Sequence, residues 1–172
     1  MSYRKINRLP GAFLCMCCIL CSVARAQVKE DQASIKVEGE VTTPLKLYAA
    51  DLAKMPHTTV SSKDKSGTSH SYTGVPVTEI LSKAGVTLGR QLRGENLAKY
   101  LLVTCSDGYQ VVFSLAELDS SFTDRVVILA DQMEGQPLPA GVGPFRIIVP
   151  GEKKPARSSF QVVGFTVRFA KE

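Results

Sequence analysis

Residues able to do chemistry are scarce in this chain. It has two histidines and five cysteines. Four of those cysteines (Cys15, Cys17, Cys18 and Cys21) crowd into one apolar run near the start. Beyond it only Cys105 remains, so the rest of the chain can form no disulfide within itself. His57 and His70 stand thirteen residues apart with no HxxxH or CxxC pattern around them, which denies zinc its usual ligand spacing. No serine lies in a GxSxG elbow and no glycine cluster completes GxxxxGK[ST]. A nucleophile-elbow hydrolase and a nucleotide P-loop therefore find no support.

Long apolar runs are missing too. The longest, "GAFLCMCCILCSV", falls short of the about 20 residues that a spanning helix needs. Arg4, Lys5 and Arg8 precede it and Ala24-Arg25-Ala26 follows, the order of a secretory signal with a small-x-small cleavage site. A lipid-attachment site at Cys21 would want a small residue before it, where Ile19-Leu20 stands. The expectation is a signal peptide over 1–26 and a single exported domain over 27–172, periplasmic or secreted, with no membrane anchor. The signal would carry away four of the 21 basic residues and none of the 16 acidic ones. The basic character of the whole chain would largely leave with it, so nucleic acid is not implied as a partner.

Within 27–172 the patterns are short. "SIKVEGEV" alternates Ile35, Val37 and Val41 with charged residues, a half-buried strand. "YAADLAKMP" reads as a short helix. "HTTVSS" and "TSHSY" flank the turn "KDKSG" as a weakly apolar hairpin. In "GVPVTEILSKAG", Pro76 suits a first helical position, Val77, Ile80, Leu81 and Ala84 form a stripe, and Gly85 ends the helix. "KYLLVTCSDGYQVVFSL" predicts a hairpin with the loop Ser106-Asp107-Gly108, setting Val103 opposite Val111 and Leu101 opposite Phe113. Ser114 and Glu117 form a capping-box pattern before "LAEL". "VVILA", "FRIIV" and "QVVGFTVRF" are further strands, the last with Val163, Phe165, Val167 and Phe169 on one side. Strands outnumber helices in irregular order, which predicts an α+β domain of mixed or antiparallel sheets with a few short helices.

Candidate chemistry centres on "GVGPFRIIVPGEKKPAR", residues 141–157. Arg146 enters an apolar strand, and Lys153, Lys154 and Arg157 follow in the next loop. A buried arginine must be paired or must hold an anion. Glu134 and Glu152 are available as partners, and converging cations beside glycine-rich backbone also hold phosphates. Both readings stay open on the residues alone. Cys105 falls on the apolar face of its hairpin with no cation adjoining it in sequence, so it reads as a small hydrophobe rather than a reactive thiol. His57 reads as a surface residue at a strand start.

Three segments, "YTGVPVTEILSKAGV", "SDGYQVVFSLAEL" and "LADQMEGQPLPAGVGPFRIIVPGEKKPARSS", resemble in order and spacing the molybdopterin-binding domain of the sulfite oxidase family, to which the periplasmic methionine-sulfoxide reductase catalytic subunits also belong. The likeness runs from about Ile35 to Phe169. It implies that fold, a molybdopterin cofactor, and oxygen-atom transfer at molybdenum with a periplasmic redox partner. It also implies that Arg146, Arg157 and Lys154 contact the pterin and its phosphate. The chain departs from the family at three places. The segment before the G-V-P helix, "HTTVSSKDKSGTSHSY", lacks the cysteine that ligates molybdenum, leaving at best an oxygen such as Ser61. Gly141 stands where the family has His or Asn, and Phe160-Gln161 where it has Lys-Trp. No catalytic residue and no protein ligand for a metal is assigned. The resemblance implies a molybdopterin-dependent oxidoreductase. The departures suggest the alternative, a metal-free relic binding a small phosphate- or carboxylate-bearing molecule.

Overall fold

The computed structural model describes Met1 and residues 33–170, so the expected signal peptide and its cleavage site lie outside the described residues. Ten strands run in chain order as β1 (Ser34–Gly39), β2 (Leu45–Tyr48), β3 (Thr58–Lys63), β4 (Ser69–Pro76), β5 (Lys99–Cys105), β6 (Gln110–Ser114), β7 (Ile128–Met133), β8 (Gln136–Pro137), β9 (Arg146–Ile148) and β10 (Val162–Phe169). Two short helices, α1 (Ala49–Leu52) and α2 (Val77–Lys83), complete the regular structure with three 3₁₀ turns. One sheet has the order β2-β1-β10-β5-β6, the other β3-β4-β7-β8 with β9 also on β7. Among the described residues only β1 and β10 run parallel; the other pairs are antiparallel. This is the expected α+β architecture of mixed sheets.

Alternation in the sequence becomes burial in the fold. Ile35 and Val37 of β1, Leu101 and Val103 of β5, and Phe165 and Val167 of β10 are all fully buried. They meet Val77, Ile80 and Leu81 of α2 in one apolar core. The β5–β6 hairpin has the predicted register, with Val103 opposite Val111 and Leu101 opposite Phe113. Its turn closes through Cys105 N–H donating to the Tyr109 carbonyl at 2.9 Å and Gly108 N–H to the Cys105 carbonyl at 3.0 Å. Removing apolar surface of this kind from water is the main stabilising term, about 25 cal/mol per Å².

Four expectations need correction. β1 stops at Gly39, so Val41 lies beyond the strand and is only partly buried. Pro76 is not inside α2: its ψ of 133° is extended, and it ends β4 as the residue before the helix. Strand pairing with Ile128 holds it there. Ser114 and Glu117 do make the capping box, Glu117 N–H to Ser114 Oγ at 3.2 Å and Ser114 N–H to Glu117 Oε1 at 2.9 Å. The "LAEL" segment nevertheless makes only a turn, because the chain bends again at Asp119. Finally, Val163 is 40% exposed. The register of β10 slips between Val162 and Gly164, which moves Val162 inward and inverts the parity of the first turn of alternation.

A similar slip in β4 explains the glycine of the G-V-P motif. Register shifts between Thr73 and Gly74. A Cβ on Gly74 would lie 2.2 Å from the Leu129 carbonyl oxygen and 2.4 Å from the Ala130 Cα, so β4 and β7 can approach this closely only where there is no side chain.

His57 ties the start of β3 to β7. Its Nδ1 lies 2.8 Å from the Met55 carbonyl and its Nε2 lies 3.2 Å from Asp131 Oδ2. Both partners are acceptors, so both ring nitrogens donate only when the imidazole is charged. Burial works against that charge, yet the Met55 carbonyl and the Asp131 carboxylate outweigh it and raise the His57 pKa. A raised folded-state pKa gives stability that is complete below the unfolded value and is lost as pH rises through the folded one. His57→Gln should therefore destabilise the protein by about 0.2–1 kcal/mol near pH 5.5, as exposed ion pairs do. The difference should shrink towards zero at about pH 8, above the ordinary histidine range. Urea melts of both proteins at the two pH values check this, and an equal gap at both would refute it.

Candidate functional site

Arg146 is the first residue of β9 and pairs with Ala130 of β7. It is 8% exposed. Its guanidinium lies between two rings, 5.1 Å from the Tyr72 centroid and 4.3 Å from that of Phe160. Nη1 donates to the Tyr72 hydroxyl at 2.9 Å and Nε to the Ser158 carbonyl at 3.4 Å. No carboxylate pairs with it among the described residues. Burial lowers its pKa, partly offset by Tyr72 and by the charge of Asp64. A guanidinium nevertheless keeps its charge in proteins. Neither acidic residue expected as a partner reaches it: Glu134 accepts from Ser71 N–H at 2.9 Å, and Glu152 is taken by Arg157.

Arg157 ends the 3₁₀ turn Pro155–Arg157 and is fully engaged. Nε and Nη2 both donate to Glu152 Oε1, the first at 2.8 Å. Nη1 reaches Glu117 Oε1 at 3.0 Å and the Val112 carbonyl at 3.2 Å. The guanidinium also stacks 4.6 Å from the Phe113 centroid. Burial lowers its pKa, but the two carboxylates more than compensate and raise it. Glu117 in turn meets Arg125 at 3.6 Å. The loop after β9 is thus clamped to β6 and to the turn that follows it. Arg146 and Arg157 share no partner.

Lys154 stands elsewhere, on a groove of about 810 Å³ between the β3–β4 turn and the loop Gly151–Ala156. Four lysines line it, Lys63, Lys65, Lys153 and Lys154, and all four are exposed without an ion pair among the described residues. Its two acidic residues are already occupied, Glu152 by Arg157 and Asp64 by its own turn. Asp64 accepts from the Ser66 hydroxyl and from the Ser66 and Thr68 N–H groups, and His70 Nε2 lies 3.2 Å from its other oxygen. The Ser66 hydroxyl and His70 hold its pKa down to about 2. Arg157 balances Glu152 and Asp64 stays ionised, so four lysines face one unbalanced carboxylate and the groove presents net positive charge. Lys153 belongs to the basic stretch that the sequence marks, whereas Lys63 and Lys65 are brought to it by the fold; the Lys-Asp-Lys turn is the signal for them.

A second cavity of about 440 Å³ shares Lys65, Pro155 and Ala156 with the groove and adds Cys105, Tyr109, Gly141, Ser159 and Phe160. Cys105 is 3% exposed. Burial pushes its thiol pKa up, and the Asp107 charge adds to that. The Ser159 hydroxyl lies near enough to offset this partly, without completing a hydrogen bond of normal geometry. The thiol has the character of a small buried hydrophobe. Among the described residues no group of three or more His, Cys, Asp or Glu could hold a metal ion. Ser61, the oxygen left where a thiolate was expected, is hydrogen-bonded at 2.7 Å to Ser69 Oγ. Hard hydroxyl oxygens already paired with each other are poor replacements for a soft sulfur ligand. The donor set therefore does not fit molybdenum ligated by the protein, whereas the lysine groove fits a phosphate.

Two outcomes follow from this geometry. Native protein should resist iodoacetamide at Cys105 and label fully only after denaturation; labelling at equal rates in both states would show an exposed, reactive thiol. Arg146→Gln should lower stability by about 1–3 kcal/mol, the usual consequence of leaving buried polar partners unsatisfied, measured by urea denaturation. A change under 0.5 kcal/mol, the range of ordinary surface substitutions, would mean that the aromatic sandwich carries no structural weight.

The family model for the oxidoreductase molybdopterin binding domain matches residues 22–153, a span that includes Arg146 and ends just before Lys154 and Arg157. Among solved structures, the sulfane dehydrogenase SoxCD from Paracoccus pantotrophus is similar, with a TM-score of 0.62 and 20% identity over 81% of this chain. The chain spans 39% of the length of that protein chain. No curated protein matches the sequence. With its G-V-P bulge, its D-G-Y hairpin and its buried G-P-x-R arginine in place, the chain belongs to the oxidoreductase molybdopterin-binding domain family.

Proposed function

We propose that this domain binds a pterin of the molybdopterin class through its phosphate, which the lysine groove receives, and that it supplies no ligand of its own to molybdenum. The carrying observation is the groove itself: four unpaired lysines face one another across it, while both of its carboxylates are bound elsewhere. Family membership supports the choice of a pterin over other phosphate-bearing molecules. Charge-assisted hydrogen bonds to a phosphate are the strongest contacts such a surface can offer. The second cavity, which shares Lys65, Pro155 and Ala156 with the groove, offers the exposed rings of Tyr109 and Phe160 to the organic part of the ligand.

The finer reading, oxygen-atom transfer with electron exchange to a periplasmic partner, lacks its thiolate here, and no step of it is assigned to this chain's residues. The order of basic, apolar and small residues at the N-terminus supports export to the periplasm or beyond, with a small anion or pterin as the partner.

The test uses protein made in a host that synthesises the cofactor. Pyrophosphate at millimolar concentration should raise the melting temperature of the wild type. Lys154→Ala should weaken pyrophosphate binding about ten- to a hundredfold, since a lost charge-assisted contact amounts to about 1.5–3 kcal/mol. Denaturation should release fluorescent pterin, with molybdenum well below one atom per chain. Stoichiometric molybdenum would restore the oxygen-atom-transfer reading. A protein that gains nothing from pyrophosphate and releases no pterin would remove the groove as the ligand site.

A further inference from the structure

The inward face of β5 carries Lys99, Leu101, Val103 and Cys105, all buried. Three of these positions are the expected core residues, and the fourth is Lys99, 8% exposed as a residue. Lys99 Nζ donates to Thr87 Oγ1 at 3.0 Å and lies 4.8 Å from the Phe169 centroid. No carboxylate comes within ion-pair distance of it among the described residues. An ammonium has three donors and a full charge. Thr87 uses one of these donors, which leaves two without a protein acceptor among the described residues.

A cavity of about 280 Å³ opens beside it, lined by residues 39–42 and by Gly85, Thr87 and Lys99. Its walls are tied together: Thr42 Oγ1 donates to the Gly85 carbonyl at 3.0 Å, Thr43 N–H to the Ala84 carbonyl at 3.0 Å, and Glu40 N–H to the Val167 carbonyl at 2.9 Å. The space equals that of about nine liquid waters at about 30 Å³ each, ample for a phosphate or a short carboxylate. It shares no residue with the lysine groove. It also lies at the opposite end of β5 from Cys105, which faces the second cavity. The one acidic residue at its rim, Glu40, is exposed and does not pair with Lys99.

We propose that this cavity is a second anion site, separate from the groove, that takes a small oxyanion of the phosphate or carboxylate class whose charge answers Lys99. The ligand receives the two ammonium donors left after Thr87, and the Thr87 hydroxyl fixes the Lys99 head towards it.

Amide NMR spectra of the full chain, titrated separately with inorganic phosphate and with acetate, test this locally. The amides of Gly39, Thr42, Gly85 and Thr87 should shift saturably with at least one of the two anions. Lys99→Met, which keeps the chain length and apolar stem, should weaken those shifts about ten- to a hundredfold and leave shifts around Lys153 and Lys154 unchanged. Thr87→Val keeps the charge and bulk and should weaken binding less, which secures the test if Lys99→Met folds poorly. Glu40→Gln should tighten binding by removing a like charge from the rim. Absence of saturable shifts at these amides with either anion overturns the proposal, as does an unchanged response in Lys99→Met. If Glu40→Gln destabilises the fold and anions remain without local effect, Glu40 is the counter-ion and the site is structural.

Discussion

The positive groove depends on one charge network, Arg157 held between Glu152 and Glu117. Exposed ion pairs contribute little individually. This one is different in kind because the guanidinium also stacks on Phe113 and donates to the Val112 carbonyl. It therefore ties the loop after β9 to the outer edge of β6, and Glu117 is itself fixed by the capping box with Ser114. Two consequences come from the same contact. The loop bearing Lys153 and Lys154 has a defined position, and the carboxylate next to those lysines is consumed. The opposite wall repeats the device with different chemistry, where Asp64 is held by its own turn and by His70. The surplus of lysines over the one carboxylate that no guanidinium balances is what makes this groove cationic.

Among the described residues Arg146 pairs with no carboxylate and shares no protein partner with Arg157. Two aromatic faces, a phenol and a carbonyl surround it. Cation–π contacts contribute more when desolvated, up to about 2 kcal/mol each, so a pair of rings can hold a buried guanidinium without a carboxylate. The bracket also joins β4, through Tyr72, to the segment after Arg157, through Ser158 and Phe160. The two arginines thus secure both sides of one loop, and the lysines between them are left free to meet solvent or ligand.

What was legible in the sequence was local. Period-two alternation placed Ile35, Val37, Leu101, Val103 and Phe165 inside, and Ser106-Asp107-Gly108 set a hairpin register that the structure shares. Legibility failed where a neighbouring strand overrode the local pattern. Pro76 has a helix-start signal but is held extended by Ile128. Val163 follows the alternation but lies past a bulge. "LAEL" has its cap but no room to continue. The partners of Arg157 illustrate the same limit at the site, since Glu117 lies forty residues away in sequence and no spacing rule links them. Lys99 was legible by parity alone, standing two residues before Leu101 on the buried face.

Fold and chemistry separate cleanly in this molecule. The groove is made by backbone loops and by pairs of charges whose removal would disturb β6, β9 and the β3–β4 turn together. A metal's thiolate ligand is a single side chain, and in the segment where the resemblance places one, Ser61 bonds to Ser69 across the hairpin. The bulge at Gly74, the bracket around Arg146 and the clamp on Arg157 are features of the fold and hold without any metal. Family membership speaks to the first set of features, and chemistry must be argued from the second. In this chain the second set includes lysines and hydroxyls, groups suited to holding a phosphate.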